Sequence, residues 1–157
     1  MKTLLTSEQV VSLAFAGGDY LDPAAVAPGD IAAAEQRYLV PVIGPRLYER
    51  LLAGGYPDLV TDYLATPLAL WTRVLVQARL EVCTGSCGVV AADPEGADPV
   101  AEDQSLRLLH GLKSQARALM QRASDHLDEQ AADYPEYDPL HNILKRCRIH
   151  GDFVQIR

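Results

Sequence analysis

From about Ala101 to Ala132 the apolar residues keep helical spacing. Leu106, Leu109, Leu112, Ala116, Leu119, Ala123 and Leu127 fall on one stripe. A helix that long rises about 1.5 Å per residue and buries only one face. Other helices must cover that face, and this requirement constrains the fold more than any other feature. Glu102 and Asp103 in the first turn suit the positive end of the helix dipole. Gly111 is a tolerated weak spot. The run "DYPEYDP" at 133–139 ends the helix.

The partner helices are written upstream. Thr6-Ser7-Glu8-Gln9 matches a capping box, and Val10, Leu13 and Ala14 follow at helical spacing until Gly17-Gly18. Residues 19–29 hold Pro23, Pro28 and Gly29 and read as a loop. Asp30 is the next N-cap, with Ile31, Ala34, Tyr38 and Val42 on one face. Then "RYLVPVIGPRLYERLL" at 37–52 breaks its own helical pattern. Pro41 cannot donate to the carbonyl four residues back. Gly44 suits the end of a helix and Pro45 the first turn of the next. The stretch therefore reads as two helices meeting at a corner fixed by Pro41, Gly44 and Pro45, or as one sharply kinked helix.

Gly54-Gly55 ends the second piece and Tyr56-Pro57 starts a third, carrying Leu59, Val60, Tyr63 and Leu64. Thr66-Pro67 again reads as a cap followed by a first-turn proline. The helix after it, with Leu68, Trp71, Val74, Leu75, Ala78 and Val82, has a wide apolar arc and is expected to be the most buried. The expected fold is all-α. It has five or six helices, one of them long and in the C-terminal half. A minor β-hairpin or an irregular loop near 86–98 completes it, with Gly88-Val89-Val90 as the strand-like part. "DFVQIR" near the end reads as a short strand.

The chain of 157 residues is large enough for one domain with its own core. A net charge of -7 argues against a surface that holds nucleic acid by counterion release. Three cysteines do not make a closed disulfide framework. No uninterrupted apolar run approaches the roughly 18 residues of a membrane span. The start, "MKTLLTSEQ", is too short an apolar run for a signal peptide, and a reducing cytoplasmic setting is the default.

Chemistry is sparse. "CTGSC" and "CRIH" supply Cys83, Cys87, Cys147 and His150, the ligand types of a Cys₃His zinc site. Neither half is the strong C-x₂-C pair, and small buried cysteines are the preferred reading, so no metal or other cofactor is expected. No nucleophile elbow and no phosphate-binding glycine loop is present, and no catalytic residue is nominated. The five acids between Asp93 and Asp103 lack calcium-loop spacing and read as a solvated segment. His110 reads as a boundary residue of the long helix. Glu35 reads as a solvated glutamate. Tyr134, Tyr137, Lys145, Arg146, Arg148 and Phe153 are candidate interface residues, the tyrosines serving either as an exposed contact patch or as packing against the long helix.

The run "DIAAAEQRYLVPVIGPRLYERLL", then a short helix, then a long buried one, resembles the head–tail connector (adaptor) proteins of tailed bacteriophages and prophages. The pattern is an acidic N-cap, an "AE..Y" helix and a "P.IG..LY..L" corner. The later "GVV" loop, the long helix and "YPEY" resemble a connector-like group in prophages of gut Bacteroidetes-type bacteria. The resemblance implies a helical connector-like domain over 1–139 and a C-terminal tail over 140–157, which either belongs to that domain or docks elsewhere. It implies a structural protein in the virion neck, assembled in the bacterial cytoplasm. Its subunits would form a homo-oligomeric ring under the portal protein, dock tail and neck proteins, and let DNA pass without sequence-specific binding or contact with a membrane. The competing readings are a small helical protein-interaction module and a zinc-stapled helical protein.

Overall fold

One helix organises the molecule. In the computed structural model, which describes residues 2–15, 21–80, 82–85, 88–91, 102–145, 148–150 and 153–155, helix α4 (residues 57–80) is packed by three others. These are α1 (Ser7–Ala14), α2 (residues 28–43) and the long α5 (Glu102–Glu129). A short α3 (Pro45–Leu52) follows α2 at the corner. The fold is all-α, as the sequence predicts. Leu68, Ala69, Leu70, Trp71, Thr72 and Val76 of α4 are all buried, so its wide apolar arc is explained by neighbours on several sides. Tyr38 of α2 stacks on Trp71 with ring centroids 3.9 Å apart.

Local chemistry sets the first helix starts. Thr6 Oγ1 accepts from the Gln9 N–H at 3.3 Å, and Gln9 Oε1 accepts from the Thr6 N–H at 2.8 Å, which completes the capping box. Asp30 is not the N-cap. The helix begins two residues earlier with Pro28 in its first turn, and Asp30 reaches back to accept from the Ala27 N–H at 2.9 Å. Its carboxylate also holds Arg79 of α4 in a two-pronged pair at 2.7 and 3.1 Å. That guanidinium keeps the Asp30 carboxyl below its ordinary range.

Two prolines that read as breaks lie inside continuous helices. Pro41 sits in the last turn of α2, and Pro67 sits well inside α4. Each follows a widened turn in which the hydrogen bond reaches five residues back. One spans Glu35–Leu39, with Val40 N–H donating to Glu35 O; the other spans Val60–Leu64, with Ala65 N–H donating to Val60 O. The extra residue shifts the carbonyl ladder just ahead of the proline ring, so the helix bends without ending. The expected helix start at Thr66-Pro67 is therefore replaced by one helix running from Pro57.

Helix α5 begins and ends close to the expected limits. Leu112, Ala116, Met120, Ala123 and Leu127 form its buried stripe, while Leu106 at the other end of the pattern is exposed. Two short antiparallel ribbons accompany the helices. In the first, β1 (Val82–Gly85) pairs with β2 (Gly88–Ala91), Cys83 opposite Val90. The strand-like Gly88-Val89-Val90 is real, and it pairs with the residues before it. Residues 92–98 lie outside the described residues. In the second ribbon, β3 (Arg148–His150) pairs with β4 (Phe153–Gln155). No helix among the described residues is long and apolar enough to cross a membrane.

Candidate functional site

The corner is built by glycine. Helix α2 ends at Ile43, α3 starts at Pro45, and Gly44 joins them at φ 83° and ψ 157°. That backbone region is essentially reserved for glycine. It is an extended, positive-φ conformation and not the left-handed helical one that usually closes a helix. Gly44 N–H still caps Val40 O at 2.9 Å, and Gly44 O accepts from Tyr48 N–H at 3.2 Å. Pro45 supplies the first turn of α3. Of the three expected corner residues, Gly44 and Pro45 make it, and Pro41 only bends the helix leading in.

A buried glutamate locks this corner, and here the expectation of a solvated Glu35 is overturned. Glu35 is 0% exposed and sits at the start of the widened turn of α2. Its Oε2 accepts from the Tyr48 hydroxyl of α3 at 2.7 Å, and its Oε1 accepts from the Leu4 backbone N–H at 2.7 Å. One side chain thus ties the N-terminal segment, α2 and α3 together. Burial pushes the Glu35 carboxyl above its usual range, against the two hydrogen bonds that favour its charged form. Burial, with Glu35 alongside, pushes the Tyr48 phenol up to about 12. Both oxygens have partners on other elements, which is the signature of a structural bolt. The clue was present in the spacing: Glu35 lies four residues after Ile31 and four before Leu39, on the inward stripe.

Across the corner runs the segment after α5. A groove of about 340 Å³ separates Gly44, Pro45 and Arg46 from Pro135, Glu136, Tyr137, Asp138 and His141. The structure therefore brings the expected corner and part of the expected interface together. The carboxylates on this rim are already paired. Glu136 accepts from the Tyr56 hydroxyl at 2.9 Å and faces Arg50 at 3.7 Å, and Asp138 lies 3.6 Å from His141.

The interface residues divide. Tyr134 and Tyr137 are buried, so they form no exposed patch; packing against the long helix is what they do. Tyr134 lies edge-on to Tyr56, with its hydroxyl 3.4 Å from His126 Nε2, and His126 stacks on Tyr63 at 3.9 Å. Tyr137 donates to Asp128 Oδ1 at 3.0 Å. It also accepts from Asn142 Nδ2 at 2.9 Å, which donates to Ser124 Oγ at 2.7 Å as well. Burial pushes the Tyr137 phenol up to about 12. Lys145 is half-buried and paired with Asp128. Arg148 and Phe153 stand in the second ribbon, Arg148 opposite Gln155 and Phe153 opposite His150, and Arg146 lies outside the described residues. Asn142, fully buried, escaped sequence reading because a lone polar residue in a turn-rich tail carries no periodic signal.

The weighed zinc ligands fall largely outside the described residues: Cys87 and Cys147 are among those not described, and Cys83 and His150 are described only as strand backbone. Among the described residues no group of three or more His, Cys, Asp or Glu side chains is placed to hold a metal ion.

Residues 35–144 match a family of unknown function, DUF6712. The matched span opens on the buried Glu35 and closes just after Asn142, so it takes in the bolt, the corner, the groove and the central helix. No curated protein and no solved structure matches the chain.

Proposed function

We propose that this chain, which belongs to the DUF6712 family, is a structural subunit of a phage or prophage head–tail connector: a ring under the portal that extends the DNA channel and docks the tail. The observation that carries the reading is the locked corner. Gly44 sits in a glycine-only conformation, and Glu35 fixes the two flanking helices from inside. A ring needs every subunit to present the same angle, because a small error repeated around the ring prevents closure. A corner held by backbone geometry and a buried hydrogen-bonded acid supplies a fixed angle. The motif resemblance rests on the same residues. The net charge of -7 suits a wall along which DNA slides without adhering.

Native mass spectrometry of the purified chain over a concentration series, alone and with its portal protein, tests the proposal. A closed homo-oligomer, formed alone or on the portal, is the expected result. A chain that stays monomeric in both settings overturns the ring and favours a helical interaction module. A mass excess of one zinc per chain would favour the zinc-stapled reading.

A further inference from the structure

Between α3 and α4 the chain turns through a conformation that its own sequence resists. Tyr56 is the one non-glycine residue at positive φ among the described residues, at φ 50° and ψ 57°. A bulky side chain rarely occupies that left-handed region. Tyr56 also precedes Pro57, and a residue before proline favours extended backbone. The turn leading to it is closed by backbone bonds. Gly54, at φ 91°, donates its N–H to Leu51 O at 2.9 Å, and Gly55 N–H donates to Arg50 O at 3.0 Å. A Cβ on Gly55 would meet the Arg50 side chain at 3.0 Å, so the turn lies directly against that side chain.

What holds Tyr56 in place lies 80 residues further along the chain. Its hydroxyl donates to Glu136 Oε2 at 2.9 Å, and its ring lies edge-on to Tyr134 with centroids 5.0 Å apart. The other oxygen of Glu136 faces Arg50 Nε at 3.7 Å. One carboxylate thus grips the turn from both sides, through Arg50 before it and Tyr56 at its end. Glu136 is itself held between Tyr134 and Tyr137, which are buried. This grip differs from that of Glu35. Glu35 is sealed from water, whereas the Arg50 and Glu136 side chains are 56% and 30% exposed. Salt screens such a pair, and water replaces its partners at little cost. We infer that Glu136 is a releasable clasp on a strained turn. While the clasp is shut, Tyr56 stays left-handed; when it opens, Tyr56 relaxes to negative φ and leaves Tyr134. The end of α3 then loosens while the corner at its start stays fixed by Glu35.

Hydrogen exchange of the full chain, read on peptides covering 53–60 and 66–76, tests the clasp. Glu136→Ala is expected to raise exchange over 53–60 about tenfold, the size of the left-handed penalty of one non-glycine residue, and to leave 66–76 unchanged. Tyr56→Phe keeps the strain and loses the hydroxyl, and is expected to raise exchange over 53–60 as well. Tyr56→Gly loses the whole side chain but also the strain, and is expected to stay near the wild-type level. Unchanged exchange in Glu136→Ala, or protection lost equally over 66–76, overturns the clasp. Tyr56→Gly as open as Tyr56→Phe overturns the strain that drives its release. Salt gives a test that needs no variant, should one fail to fold. Raising the salt concentration is expected to speed exchange over 53–60 alone in the wild type, and no change there overturns the proposal.

Discussion

Glu35 shows how one buried side chain sets a local geometry. Glu35→Ala leaves the Leu4 N–H and the Tyr48 hydroxyl without their acceptor, and is expected to cost about 2–4 kcal/mol in chemical denaturation. Glu35→Gln keeps an acceptor for Leu4 and a partner for Tyr48, and should stay within about 1 kcal/mol of the parent. The two variants also separate a pH effect. Because the folded pKa lies above the unfolded value of 4.5, the folded state holds the proton more tightly. The contribution of Glu35 is full below the unfolded pKa and is lost as pH rises through the raised folded one. Urea midpoints measured across that window should fall with rising pH in the parent, and the slope should flatten in Glu35→Gln. Gly44 gives a second residue-level test. A Cβ there meets no atom within 4 Å, so the cost of Gly44→Val is conformational, about 1–3 kcal/mol. An unchanged melting midpoint would remove the strained-corner account.

At the scale of elements, proline was the least reliable guide. The capping box at Thr6 was legible because both of its bonds are local to four residues. Gly44-Pro45 was legible because positive φ and a first-turn proline have residue preferences. Pro41 and Pro67 misled because the widened turns that admit them shift a backbone ladder and leave no side-chain signature. Pro41→Ala is therefore expected to leave the melting midpoint unchanged or to raise it, in contrast to Gly44→Val. Asn142 tests the other join. Asn142→Ala takes the donor from Ser124 and Tyr137 in a buried network and is expected to cost about 1–3 kcal/mol by thermal or urea denaturation. The periodic stripe of α5 was legible from Leu112 onward. Its first turns matched the pattern equally well, yet Leu106 there is exposed, and a sequence period cannot tell a covered leucine from an uncovered one.

For the whole molecule, the class and the central helix were legible because both follow from apolar spacing summed over many residues. The site was legible only in part: the corner residues stood out, whereas Glu35 and Asn142 are polar groups whose burial depends on contacts distant in sequence. Residues 140–145 are stitched to α5 by Asn142, so deleting 140–157 is expected to lower the melting midpoint while leaving a single calorimetric transition. An unchanged midpoint would show that the tail is an independent unit. The placement of α4 also has a consequence for the order of folding. The partners of Glu35, Leu4 and Tyr48, lie within the first third of the chain, so the corner closes through contacts of modest sequence separation. Helix α4 is covered on one side by α5, which the ribosome delivers only after a further stretch of chain. Until then the part of α4 that α5 covers presents an apolar surface to solvent. The newly made protein is therefore most prone to aggregate after its corner has formed and before its longest helix has emerged.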